Sequence, residues 1–375
     1  MRFLYVHIPF CRQKCNYCDF VSHCPAEGEI EEYIDLLLKE AELYKALKSE
    51  YGLVTVYFGG GNPGLLESKA YAKLLAGFKD IFGFAASMEI TLEMNPEDVT
   101  EKKIRALKKL GVNRISIGAQ AFQNDLLAAM GRRHNARAIE EAVMAAYNGG
   151  IKNISLDLIY GLPNQTMAQW QDSLKKAVSL PVTHVSTYGL KLHSSTPWGA
   201  LLEKGELKLP EDDLNCDMQL YAMEYLDKKR FYRYEIANFA KMDYPCRHNT
   251  AYWLRRDYLG LGIGAASLLN NVRTRNENEL HKYRDKVNKG IFPWDEREVL
   301  TPTEIREEEI MLPMRLVWGL NIGEFAEKYG SEYFAEKKGQ MVKFFDLGLL
   351  TVEEGQLKLT DKGVLLNNEV LISLI

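Results

Sequence analysis

Long apolar runs are missing from this chain. No window reaches the roughly 20 residues of a membrane-spanning helix without meeting charges. The apolar stretch near the N-terminus, residues 3–8, is too short for a secretory leader. A strong net charge is missing too: 47 Lys and Arg against 51 Asp and Glu leave −4. Without a basic excess there is no electrostatic case for nucleic acid. Cysteine is scarce, six in 375 residues, and three of the six fall between positions 11 and 18. That usage suits a reducing compartment rather than a disulfide framework. The expectation is a cytoplasmic protein that is neither an integral membrane protein nor a nucleic-acid binder; docking on a membrane partner stays open.

What is present is a tight thiol cluster, Cys11-Arg-Gln-Lys-Cys15-Asn-Tyr-Cys18, just after a short apolar run. Its spacings are too short for disulfides between these cysteines. They suit three thiolates folded round one face of an iron–sulfur cluster, with one iron left without a protein ligand and open to a substrate or cofactor. A zinc site is the alternative, with His23 and Cys24 near enough to complete it. Cys24, Cys216 and Cys246 read as packing residues.

Hydrophobic content of 46% and charged content of 26% are ordinary, and 375 residues are long for one core. Strand patterns at 2–7, 53–58, 88–94, 113–118, 153–159 and 183–189 alternate with helical patterns at 29–48, 67–80, 100–110, 136–149 and 166–178. Such alternation predicts a parallel sheet with right-handed crossovers. The fold expected is α/β: a partial (β/α)6 TIM-like barrel over residues 1–230, a doubly wound sheet being the alternative. A connecting region, 231–300, and a smaller helical, winged-helix-like domain, 301–375, follow. Notable residues gather at the strands' C-terminal ends, where barrel enzymes build their sites. Gly59-Gly60-Gly61-Asn62 follows the second strand, Glu93 ends the third, Gln120 follows the fourth, Asp157 lies in the fifth and Tyr188 ends the sixth. The glycines let a ligand approach the backbone. Gln120 and Asp157 are polar groups in apolar strands, and such groups need partners.

The run Tyr5-Val-His-Ile-Pro-Phe-Cys11-x3-Cys15-x2-Cys18 resembles the signature of radical S-adenosylmethionine enzymes, in the branch of oxygen-independent coproporphyrinogen III oxidase. The resemblance implies a [4Fe-4S] cluster on Cys11, Cys15 and Cys18 whose open iron takes the amino and carboxylate groups of S-adenosylmethionine. It implies one or two molecules of that cofactor. Gly60, Gly61, Asn62 and Glu93 would serve the first; Gln120, Arg132 and Asp157 match positions serving a second. Tyr5 and Tyr17 flank the cluster, placed to stack or exclude water. Asn62 stands where the family has Thr, which changes the side-chain part of that contact.

Further on, His248-Asn249-x-x-Tyr252-Trp253 sits beside a glycine-rich turn at 258–266. A packed aromatic cluster around a satisfied histidine is one reading; a flat porphyrin with an axial ligand is the other. The motif resembles the one that separates HemW-type haem chaperones from true coproporphyrinogen oxidases. That resemblance implies haem as a further ligand held by His248, Tyr252 and Trp253, with Cys246 close enough to be a second ligand. It implies haem-accepting proteins as partners. Two departures from the oxidase agree: no long segment precedes Cys11, and Phe20 replaces its fourth cysteine. The function expected is haem binding and transfer, with little or no coproporphyrinogen dehydrogenase activity and no assigned catalytic residue. The alternative is the oxidase itself, decarboxylating coproporphyrinogen III through a 5′-deoxyadenosyl radical. Monomer and dimer are both left open.

Overall fold

A computed structural model of the chain describes residues 1–375. Six parallel strands, β1 (Phe3–Ile8), β2 (Leu53–Gly60), β3 (Phe84–Met94), β4 (Arg114–Gln120), β5 (Asn153–Tyr160) and β6 (His184–Gly189), lie side by side in chain order. The crossovers are α1 (Glu29–Leu43), α2 (Ser68–Phe82), α3 (Glu101–Lys109), the short α4 (Asn124–Ala129), α5 (Ala136–Asn148) and α6 (Met167–Ser179). The expected partial barrel is therefore observed. Boundaries move where the chemistry requires it. Helix α1 stops at Leu43 and tightens into a 3-10 turn, Lys45–Leu47. Helix α2 runs on to Phe82 and is followed by Gly83, whose positive φ of 70° suits glycine.

Alternation along the strands sorts their two faces. Val6, Phe58, Leu92, Ile117, Leu156 and Val185 point outward, are buried, and join one apolar cluster with the crossover helices. The intervening residues, among them Tyr57, Glu93, Ser116, Asp157 and Ser186, point into the barrel and line a cavity. This lumen is polar, unlike the layered apolar interior of a filled (β/α)8 barrel.

Residues 231–300, expected as a connection, hydrogen-bond into the same sheet at both ends. After α7 (Pro197–Glu203) and α8 (Asp212–Lys228), β7 (Tyr232–Arg233) and β8 (Asn238–Ala240) add antiparallel beyond β6. The glycine-rich stretch is strand β9 (Tyr258–Leu261), parallel to β1. It is extended by β10 (Ala266–Leu269), β11 (Val272–Asn276) and β12 (Trp294–Val299). Glycine is required there because the backbone of Ala266 crosses so close to Gly260 that no Cβ fits. The helix Arg247–Trp253, α9, carries the histidine motif between β8 and β9.

The C-terminal part holds helices Pro302–Met311, Ile322–Tyr329 and Lys338–Asp346 and the hairpin Leu350–Glu353/Gln356–Leu359. The hairpin turns at Glu354 and Gly355, both with positive φ, as a type I′ connection demands. Glu308 ties this part to the barrel by pairing with Arg255 at 2.8 Å and with Arg273.

One buried acid fastens the sheet edge to α1. Glu40 accepts from Gly262 N (2.8 Å), Asn276 Nδ2 (2.6 Å) and Tyr283 Oη (2.6 Å). Burial raises its pKa from 4.5 to about 7. A carboxyl raised on folding holds its proton more tightly in the native state. Its contribution is therefore complete below about pH 4.5 and lost as pH climbs through about 7. We expect urea stability to fall between pH 5 and 8 by up to about 3 kcal/mol more in the wild type than in Glu40→Gln. Parallel pH profiles for the two proteins would refute this.

Candidate cofactor site at the mouth of the barrel

The loop after β1 folds over the open end of the strands because it is pinned on several sides. Cys11 N donates to His23 O (2.9 Å), Asn16 N to Met130 O (3.1 Å), and Trp198 N to Asn16 O (2.9 Å). Asn16 Nδ2 adds a bond to Ala129 O (2.8 Å). This brings Cys11, Cys15 and Cys18 to one wall of a cavity of about 340 Å³. All three are free thiols. Burial pushes Cys11 up to about 11 and raises Cys18 as well. Arg132 Nη1 donates to Cys15 Sγ at 3.6 Å, offering positive charge to a thiolate.

This donor set fits an iron–sulfur cluster held by three thiolates better than a single ion. No three His, Cys, Asp or Glu side chains converge as a mononuclear metal needs. The two residues that would complete a zinc site are engaged elsewhere: His23 Nε2 pairs with Glu29 Oε1 at 2.6 Å, and the exposed Cys24 donates to Arg12 O at 3.3 Å.

The residues expected around S-adenosylmethionine converge on the same cavity, with Tyr5 the exception. Glu93 accepts from Tyr57 Oη (2.7 Å) and Gly60 N (3.3 Å), and burial lifts it to about 7. Asp157 takes three hydroxyls, Ser186 (2.6 Å), Ser116 (3.0 Å) and Ser155 (3.3 Å), and burial raises it despite them. Arg132 Nη2 donates to Asn95 Oδ1 (2.7 Å) and Gly118 O (2.9 Å). Gln120 follows a register shift in β4 and holds a left-handed φ of 64°, a strained conformation of the kind found at functional sites. Tyr17 packs on Trp198 at 6.1 Å. Tyr5 lies one layer behind the cavity wall, stacked on Tyr57 and hydrogen-bonded with His7 Nδ1 at 3.0 Å.

The glycine loop is crowded by the protein itself: a Cβ on Gly60 would lie 2.7 Å from the His7 ring, and one on Gly61 would lie 3.0 Å from Cys11 Sγ. Asn62 commits its side chain to structure. Its Nδ2 donates to Asp98 (2.7 Å) and its Oδ1 accepts from Asn95 N (3.2 Å).

The motif on α9 lies beneath the cavity. His248 is 1% exposed, with Nδ1 against Thr55 Oγ1 (2.6 Å) and Nε2 against Tyr252 Oη (2.8 Å). Its ring stacks on Tyr57 at 5.1 Å, and burial lowers its pKa to about 3, so it is neutral. Tyr252 meets it edge-on, at 84°. Trp253 is half-buried under the Arg315 guanidinium, 5.5 Å from its ring centre. Cys246 is fully buried and its thiol is pushed up to about 12. The arrangement is that of a packed aromatic cluster around a satisfied histidine; among the motif residues, Asn249 alone lines the cavity.

Two residues escape sequence reasoning. Glu89 caps α9, accepting from Arg247 N (3.1 Å) and His248 N (3.2 Å). Arg114 is 1% exposed, lines the cavity, and leaves Nε and Nη1 without partners. A signal for it exists: Arg114, Ser116 and Gly118 occupy alternate positions and so share the lumen face.

A thiol-lined cavity at the C-terminal mouth of a partial (β/α) barrel defines a radical S-adenosylmethionine fold. Residues 5–177 match the Radical SAM superfamily and residues 300–366 the HemN C-terminal domain. The fold is similar to coproporphyrinogen III oxidase (HemN) from Escherichia coli, with a TM-score of 0.87 and 23% identity over 99% of this chain and 89% of that one. The chain is 34% identical over 371 residues to the heme chaperone HemW of Bacillus subtilis (strain 168), covering 99% of this chain and 98% of that protein. With the HemW of Lactococcus lactis it shares 33% identity, covering 98% and 95%. It belongs to the HemW family of radical SAM proteins.

Proposed function

We propose that this chain binds haem and passes it to acceptor proteins, using a radical SAM scaffold that carries a [4Fe-4S] cluster and S-adenosylmethionine. The observation that carries the reading is near-full-length similarity to two proteins named heme chaperones, joined to a cavity that gathers the three thiols. When bound, the cluster supplies an open iron for the cofactor's amino and carboxylate groups. The chain's own residues position and enclose. Glu93 offers a carboxylate whose proton balance sits near neutrality. Asp157, held by three serines, offers acceptors deeper in the lumen. Arg132 steadies the Cys15 side of the loop. For His248 to ligate haem iron it must give up Thr55 or Tyr252, so α9 has to open. No helix is long and apolar enough to cross a membrane.

The test is anaerobic. Cluster-reconstituted protein is titrated with haem by absorbance, and a parallel sample receives S-adenosylmethionine, reductant and coproporphyrinogen III. We expect about one haem per chain and no decarboxylated product. Protoporphyrinogen formed over repeated turnovers, with no haem uptake, would make the protein an oxidase instead.

A further inference from the structure

Below the rim, four charged side chains line the cavity: Glu93, Arg114, Arg132 and Asp157. Three of them are committed. Glu93 accepts from Tyr57 and Gly60, Asp157 from three serines, and Arg132 donates to Cys15, Asn95 and Gly118. Arg114 is not. It is 1% exposed, and its Nε and Nη1 have no partner. Thr91 shares the defect. It stands opposite Arg114 in the register of β3 and β4, so both side chains leave the sheet on the same face. Its Oγ1 is buried and unpartnered as well. Buried polar groups are costly to leave unpaired, and two such neighbours mark a place where a polar ligand belongs.

The place is the floor of the lumen. Arg114 opens β4 and Gln120 closes it, so at about 3.3 Å per residue roughly 20 Å of strand separate the floor from the mouth. The cysteine loop lies at the mouth; α9 lies at the floor. Thr55, which holds His248, is the register partner of Glu89, which caps α9. Glu89 precedes Thr91 by two positions and shares its face. After burial, the charge of Arg114 is what lowers the pKa of His248. Arg114 therefore stands between the lumen and the helix that carries the histidine motif.

We propose that Arg114 anchors a carboxylate of the haem that His248 takes up when α9 opens; the assignment rests on the haem-binding reading above. Haem carries two propionates, and a planar guanidinium held away from water is the donor best matched to a carboxylate. The Thr91 hydroxyl adds a donor beside it. Glu89 lies on the same face, but it spends its oxygens on the backbone N–H groups of Arg247 and His248, which leaves the guanidinium free. Only the propionate has to enter, so a lumen of about 340 Å³ is large enough. The carboxylate of S-adenosylmethionine is the other source of this chemistry. The open iron that would take it is at the mouth, at the far end of the strands from Arg114.

The experiment uses the full chain with its cluster reconstituted under anaerobic conditions. Wild type, Arg114→Met and Arg114→Gln are titrated with ferric haem and, separately, with ferric haem dimethyl ester, whose propionates carry no charge. Both probes are read on the same preparation, so a general loss of stability cancels in their ratio. We expect the wild type to prefer haem over the ester. In Arg114→Met that preference should fall by about 10-fold or more, the effect of losing a charge-assisted hydrogen bond made away from water. If Arg114→Met does not fold, Arg114→Gln, which keeps a polar group among the buried ones, should show the same fall. Affinity for S-adenosylmethionine should stay at the wild-type value. A wild type that binds haem and its ester alike overturns the assignment, as does a variant that keeps the wild-type preference. Weakened S-adenosylmethionine binding with that preference intact gives Arg114 to the cofactor and overturns it too. A wild type that takes up neither haem nor ester overturns the functional reading itself.

Discussion

Cys15→Ala leaves the chain folded and empties it of iron and sulfide. Reconstituted wild type should hold about four iron and four sulfide per chain, and the variant close to none, because a cluster already one thiolate short of the usual four has no ligand to spare. The fold survives because the loop is held by backbone bonds, from Asn16 N to Met130 O and from Cys11 N to His23 O, not by the thiols. Arg132 keeps its bonds to Asn95 and Gly118 without Cys15. Assembly should also depend on pH. Burial holds Cys11 and Cys18 in the thiol form, and iron displaces those protons. Cluster yield should therefore rise with pH between about 6.5 and 8.5. Iron retained near the wild-type ratio in Cys15→Ala, or one zinc per wild-type chain, would remove the cluster assignment.

Glu89→Ala should cost about 3–5 kcal/mol of stability, far above the typical effect of a point substitution. The carboxylate receives two backbone N–H groups at the start of α9 and the Cys246 thiol at 3.6 Å, all inside the protein. It also lies near Arg114, whose guanidinium has no bonded carboxylate. Removing it strands buried donors and leaves a buried cation less compensated. Glu89→Gln keeps one acceptor and should cost about half as much. The measurement is urea unfolding of the three proteins. A stability change of less than about 0.5 kcal/mol in Glu89→Ala would show that water serves those donors equally well.

Much of the barrel is legible in the amino-acid order, and for one reason. Each strand has to bury an outward row such as Ile90, Leu92 and Met94 against helices, and helix periodicity and strand alternation both mark that row in local sequence. The cavity residues are legible because they interrupt apolar strands at their C-terminal ends. What escapes depends on distant partners. That β9 is a strand follows from pairing with β1, some 255 positions earlier, while its glycines advertise a turn. The burial of His248 follows from Thr55, 193 positions away. The motif spacing around 248–253 is that of a helix turn, which places Tyr252 over His248 and satisfies the ring.

The two-faced strands carry a further consequence. Along β3 position 93 opens on the cavity while 90 and 92 pack outward, and Met94 at the strand's end meets both; along β4 the assignment is reversed, with 114, 116 and 118 inside. Because the two duties fall mainly on alternate positions, most of the lumen can be rewritten without loosening the wall. Exchanges at 93, 116, 157 or 186 alter what the barrel holds, while those at 92, 117, 156 or 185 alter whether there is a barrel. The same division makes the scaffold intolerant of a frame slip: deleting one residue within a strand would turn its whole ligand-facing row out into the apolar layer. A lineage built on this wall is free to trade one cargo for another, provided it does so by substitution and confines its insertions to the loops.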